Sequence, residues 1–113
     1  MGINGVVYVS GDLAEALELP SSGGLLVQGV QAGSPAEEAG LRRPRQVVIV
    51  GNYEIGVGGD LITAIDGKPV DGTDSLQRAL SRKRAGDTIE LTVYRNRSRQ
   101  NIRVKLGEAP QSL

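Results

Sequence analysis

The sequence predicts an α+β fold that is mostly β: a small antiparallel sheet, closed into a partly open barrel or sandwich, with two or three helices over its ends. Three observations carry that prediction. Near the C-terminus Ile89, Leu91 and Val93 alternate with Glu90, Thr92 and Tyr94, and Ile102, Val104 and Leu106 alternate with Arg103 and Lys105. A period of two is the mark of a strand with one face on a core and one in water. One segment, residues 73–84, carries a clear helical stripe, with Leu76, Ala79, Leu80 and Lys83 on one side and Gln77, Arg78, Ser81 and Arg82 elsewhere. The 16 glycines and the 3% aromatic content imply many turns around a small aliphatic core.

The remaining elements follow in order. Residues 5–9 read as a short Val-rich strand. Asp12 with Glu15 three residues on reads as a helix start, Leu13, Ala16 and Leu17 share a face, and Pro20 is expected to end that helix. Ser21-Ser22-Gly23-Gly24 is a turn. Residues 25–30 form a strand, with Leu25, Val27 and Gly29 on one side and Leu26, Gln28 and Val30 on the other. Ser34-Pro35-Ala36-Glu37 is a strong helix start: Ser34 caps, Pro35 takes the first helical position, Glu37 completes a capping box, and Gly40 stops the helix. In the stretch 42–58, residues 47–50 are strand-like, Gly51-Asn52 suits a tight turn, and Tyr53-Glu54-Ile55 returns. Residues 60–65 are a core strand, and Asp66-Gly67-Lys68-Pro69 is a turn. The two C-terminal strands are a hairpin across Asn96-Arg97-Ser98-Arg99. Residues 1–108 are expected to form one domain, and 109–113 a disordered tail.

Composition excludes several functions. With 39% hydrophobic and 23% charged residues the chain is ordinarily globular. Lys+Arg and Asp+Glu both number 13, without the basic excess of a general nucleic-acid binder. There is neither Cys nor His, so thiolate or His-ligated metal sites, Cys nucleophiles and His-based triads cannot be built within this chain. No apolar run reaches the length of a membrane span, and no signal peptide opens the sequence. No metal or cofactor is expected, and no catalytic residue.

Isolated motifs have plain explanations. Gly56-Val57-Gly58-Gly59-Asp60 shares only glycines with a phosphate loop; it lacks the Lys-Ser/Thr pair and the following helix. Ser34 is explained as a helix cap, and Asp66 and Asp71 as turn residues. Arg42-Arg43-Pro44-Arg45 and Arg95, Arg97 and Arg99 are local basic clusters that read as solvated turns.

Four segments, in this order, resemble the PDZ domain of a bacterial HtrA/Deg-type, trypsin-like serine protease. Leu13-Ala14-Glu15-Ala16-Leu17-Glu18-Leu19-Pro20 resembles the helix that such domains place after their binding strand. Gly33-Ser34-Pro35-Ala36-Glu37-Glu38-Ala39-Gly40-Leu41 resembles their short second helix. Gly59-Asp60-Leu61-Ile62-Thr63-Ala64-Ile65-Asp66-Gly67-Lys68-Pro69-Val70 resembles the next strand and turn, and Gly86-Asp87-Thr88-Ile89-Glu90-Leu91-Thr92-Val93 the penultimate strand. The middle two segments also occur in tail-specific and intramembrane proteases; the first is the one that points to HtrA. The stretch 42–58 departs from the family as an insertion. At the other end Gly2-Ile3 match the last two residues of the family's carboxylate-binding loop, Met1 stands at the aliphatic position before them, and the loop's aromatic has no counterpart. The chain is therefore expected to begin inside that loop, and residues 106–110 are expected to close the protease's last domain.

The resemblance implies a PDZ-like fold with the circularly permuted strand order of bacterial members. It implies a non-catalytic module that binds C-termini or extended hydrophobic segments of misfolded proteins by strand addition, and that feeds or regulates a protease domain. Gly2, Ile3, Asn4, Gly5 and Val6 would supply the edge, with backbone N–H groups of Gly2 and Ile3 holding a terminal carboxylate. Leu76, Ala79, Leu80 and Lys83 would be the facing wall. Ile3 and Leu80 would line the pocket for an aliphatic last side chain, with Lys83 steering acidic residues or lying along the surface. The implied partners are such peptides and the parent's protease domain, with no nucleic acid, no membrane insertion and a homotrimeric parent. The implied location is the bacterial cell envelope. The alternative is an assembly module whose edge or inserted hairpin contacts other subunits, or the PDZ domain of another bacterial protease class.

Overall fold

The structure is a computed structural model and describes residues 1–107; the tail expected at 109–113 lies outside the described residues. Eight strands and three short helices follow in the order β1 (Val6–Val9), α1 (Gly11–Ala16), β2 (Gly24–Val27), α2 (Pro35–Glu38), β3 (Gln46–Val50), β4 (Tyr53–Val57), β5 (Leu61–Ile65), β6 (Lys68–Pro69), α3 (Ser75–Leu80), β7 (Thr88–Arg95) and β8 (Ser98–Lys105). The main sheet runs β1-β2-β5-β7-β8, with β6 beside β5, and every pairing is antiparallel. The mostly-β expectation holds.

Alternation along the strands divides the apolar residues between the two faces. Leu25, Val27, Ile62, Ile65, Leu91, Val93, Ile102 and Val104 face one core, with Leu76 of α3 and Ala36 of α2. Leu26, Leu61 and Val9 face a smaller one, closed by Ala14 of α1 and Ile55 of β4. Each fully buried Leu or Ile stabilises the fold by about 1.5–3 kcal/mol relative to exposure. Gly24 lies where strands crowd: a Cβ there would come 2.6 Å from the Ile62 carbonyl oxygen.

The stretch 42–58 contains the hairpin read from it. β3 and β4 form a two-stranded sheet of their own, with Val50 opposite Tyr53 and only Gly51-Asn52 between them. Val48, Val50, Ile55 and Val57 turn one face of it into the smaller core. Two other hairpins turn on two residues with positive φ, Asp66-Gly67 and Asn96-Arg97, the geometry that matches the twist of flanking strands; in Gly51-Asn52 only the glycine has positive φ. Lys68-Pro69, expected within a turn, is instead the paired strand β6.

Several local expectations are corrected. α1 is capped from Ser10 with no side-chain bond, so Asp12 is inside the helix and not its cap. Its last helical residue is Ala16, and the chain leaves through Glu18 at φ +61, before Pro20 is reached. Its buried residue is Ala14, while Ala16 is exposed. Ser34 does cap α2, its Oγ accepting from the Glu37 N–H at 3.3 Å, but the Glu37 carboxylate reaches back to the Gly33 N–H at 2.9 Å and not to that of Ser34. α3 is half the length the stripe suggests. The chain continues past Leu80 in tighter turns, with the N–H groups of Arg82 and Lys83 donating to Ala79 and Leu80.

Candidate functional site

Among the described residues β1 is an edge strand, paired with β2 alone. The chain before it stays beside the prolongation of β2 in the same register: Val6 faces Val27, and Ile3 faces Val30. The Asn4 N–H donates to the Gly29 carbonyl at 2.8 Å, and the Gln31 N–H to the Gly2 carbonyl at 2.7 Å. Those bonds flank the Ile3–Val30 pair, which makes it a non-hydrogen-bonded pair of the antiparallel ladder. The N–H and C=O of Ile3 itself therefore point away from β2, toward the open edge. Met1 is tied down as well, its carbonyl accepting from the Ala36 N–H of α2 at 3.0 Å.

Gly2 is at φ +102, and a Cβ there would fall 2.1 Å from Cβ and Oγ of Ser34. Only glycine allows the chain to lie this close to the cap of α2. Gly5, at φ +139, interrupts strict alternation. That is why Ile3 and Val6, three apart, both pack on the larger core, and why Val30 joins Leu25 and Val27 on that side against expectation.

α3 carries the residues read as the facing wall. Leu76 is buried, Ala79 and Leu80 are half-buried, and Gln77, Arg78, Ser81 and Arg82 are exposed, as the stripe predicts. Ala79 and Leu80 pack against the same apolar cluster as Met1, Ile3, Val6 and Tyr8. An open backbone edge and the apolar side of a helix thus share one core. Met1 and Val30 belong to this group and were missed by sequence reading; the signal for Val30 was the pairing register, which sequence does not show.

Lys83 stands apart. Its ammonium meets the Asp66 carboxylate at 2.8 Å and the Thr88 carbonyl at 3.1 Å. Asp66 also accepts from the Glu90 N–H at 2.9 Å. Burial works to raise the Asp66 carboxyl, but the Glu90 N–H and the Lys83 ammonium outweigh it and hold the group below the usual carboxylate range. Asp71 is likewise held low, by the Ser75 hydroxyl and the Arg78 guanidinium. The two carboxylates serve different turns and form no pair for acid–base work.

The profile of the PDZ domain family matches residues 5–106. The chain belongs to the PDZ domain family. This PDZ domain is of the kind carried by HtrA-type serine proteases. It is 33% identical over 90% of its length to a probable periplasmic serine endoprotease DegP-like of Rhizobium meliloti, of which it matches 17%. It is 35% identical over 86% of its length to the serine protease Do-like HtrA of Lactococcus lactis subsp. cremoris, of which it matches 21%. Among solved structures it is similar to the HtrA-type protease AlgW with decapeptide, with a TM-score of 0.64 and 28% identity over 96% of this chain and 29% of that one. The chain spans about a fifth of the length of these curated relatives, and their catalytic domain is outside it.

Proposed function

We propose that this PDZ domain binds the C-termini or extended hydrophobic segments of other proteins by adding them as a strand to the open edge of residues 2–6. The observation that carries the reading is the Ile3–Val30 pair: it turns the N–H and C=O of Ile3 to the open edge, beside the apolar side of α3. Main-chain pairing along such an edge supplies affinity, and side-chain pockets supply selectivity. A terminal carboxylate would sit at the N–H groups of Gly2 and Ile3, with the last side chain, an aliphatic one, between Ile3 and Leu80. Ala79 and Leu76 extend that wall, and Asn4, Gly5 and Val6 carry the rest of the edge. Lys83 is left out of the groove, since its ammonium is held by Asp66.

On this reading the domain is the non-catalytic recognition part of an envelope serine protease, delivering misfolded chains to the protease domain or regulating it. The relatives' names as periplasmic endoproteases support that placement. The test is titration of the isotope-labelled domain with peptides that end in free aliphatic residues, over ~1–1000 μM. Saturable amide shifts at residues 2–6 and 76–80, lost when the peptide is amide-capped, are the expected result. Absence of any shift favours a second reading, an assembly module. The observation behind that alternative is the hairpin's exposed Val47 and Ile49.

A further inference from the structure

The inserted hairpin has a second face. Val47 and Ile49 are 63% and 75% exposed and stand opposite Gly56 and Glu54, on the side away from the smaller core. This side looks across Gly29 to Asn4 and encloses a cleft of about 370 Å³, lined by Asn4, Gly29, Arg43, Val47, Glu54 and Gly56 among others. Gly29 leaves the floor open: a Cβ there would meet the Asn4 Cβ at 3.1 Å. The cleft therefore reaches from the hairpin to the strand edge on which the proposed peptide would pair.

Strand geometry decides which part of a peptide meets it. With its carboxylate at Gly2 and Ile3, a peptide runs antiparallel to β1, and its last residue lies opposite Ile3. Paired residues share a face, and successive residues alternate between faces. The last side chain thus points to the α3 side with Ile3, and the penultimate one points to the opposite side with Asn4, toward the cleft.

The charges in the cleft select what fits. The Arg43 guanidinium is occupied by Glu37 at 2.6 Å. Glu54 is exposed and has no ion-pair partner among the described residues. An uncompensated carboxylate beside the exposed alkyl surface of Val47 suits a long side chain with an apolar stem and a cationic head. We propose that the cleft between Asn4 and the inserted hairpin is a second specificity subsite, reading a basic penultimate residue of the bound peptide through Val47 and Glu54. This rests on the strand-addition reading above.

The experiment uses peptides with one fixed aliphatic C-terminal residue and Lys, Ala or Glu before it, titrated into the wild type, Glu54→Lys and Val47→Ser. Both replaced side chains are exposed, so amide spectra will report whether each variant keeps the fold. The wild type should bind the Lys peptide about two- to fivefold more tightly than the Ala peptide, the scale of an exposed ion pair, with the preference shrinking at high salt. Glu54→Lys should invert the order of the Lys and Glu peptides, and Val47→Ser should weaken the Lys peptide more than the Ala peptide. Shifts at Val47, Glu54 and Gly56 should accompany the Lys peptide. If all three peptides bind equally, or Glu54→Lys leaves their order unchanged, the subsite is refuted while the groove stands. If none binds, both fall.

Discussion

Arg95 grips Asp60 with a two-pronged bond, Nε to Oδ1 at 2.7 Å and Nη2 to Oδ2 at 2.5 Å. The carboxylate is fully buried, and the guanidinium is 14% exposed. Nη2 also donates to the Gly40 carbonyl at 2.8 Å, and Asp60 accepts from the Arg42 N–H at 2.9 Å. One pair thereby ties the end of α2, the chain leading to β3 and β7 together at the head of β5. Hydrogen bonding to Asp60, partly opposed by burial, raises the Arg95 guanidinium above its already high ordinary value. Replacing one member of a buried pair strands the other. Arg95→Ala should cost about 3–5 kcal/mol, read as a lower urea midpoint. Asp60→Ala should cost a similar amount, and the double variant clearly less than the sum, since the two losses are one interaction.

Gln28 holds the β3–β4 hairpin to the sheet by imitating a strand. Its amide donates to the Gly56 carbonyl at 2.9 Å and accepts from the Gly56 N–H at 2.8 Å. Gly56 is buried, and a Cβ there would strike the Pro44 ring at 2.8 Å, so both backbone groups depend on this side chain. Gln28→Ala should leave two buried polar groups unmatched, at about 1–3 kcal/mol each where water cannot enter. Hydrogen exchange is the sharper measurement: protection should fall at Gly56 and along β3 and β4, while β7 and β8 keep theirs. Uniform loss across the sheet would mean that the hairpin is no separate unit.

The hairpin was legible in sequence and its anchor was not. Gly51-Asn52 between Val-rich and Tyr-Glu-Ile runs carries a local turn signal, whereas Gln28 and Gly56 are joined only by folding. The same division holds at the candidate site. The α3 stripe at Leu76, Ala79 and Leu80 is a local period and was readable. The freedom of the Ile3 N–H depends on register with Val30, and the capture of Lys83 by Asp66 depends on a turn elsewhere in the chain. Where local reading erred, at α1, a plausible cap in Asp12 competed with Ser10-Gly11, whose Gly11 at φ +55 lets the chain turn into the helix earlier. Nothing in the pattern of charges marks that choice.

Acid should reveal the Asp66–Lys83 contact. The Asp66 carboxyl is held below its ordinary value of 3.8. A carboxyl lowered in the folded state stabilises the fold at every pH above its unfolded value, and that contribution is lost as pH falls through the folded value. Asp66 is 37% exposed, so solvent limits the effect to the scale of an exposed pair, about 0.2–1 kcal/mol. The stability gap between wild type and Asp66→Asn should be flat from pH 8 to about pH 5 and close below about pH 4. A gap that persists undiminished at pH 2 would assign the loss to turn geometry and not to charge.

The proposed groove makes one further demand, on Leu80. Half-buried on the α3 wall, it contributes less to the core than Leu76 and more to a bound side chain. Leu80→Ala removes apolar surface from the pocket, worth about 1–2 kcal/mol to an aliphatic terminal residue, which is roughly tenfold in Kd. Leu76→Ala acts chiefly on the fold, at about 2–5 kcal/mol. The two variants should therefore separate: Leu80→Ala with weakened binding and a modest stability change, Leu76→Ala with a large stability change. Peptide titration beside urea unfolding checks both. If Leu80→Ala binds as tightly as wild type while the amide-capping control still abolishes binding, the carboxylate is read at Gly2 and Ile3 but the terminal side chain lies elsewhere than against α3.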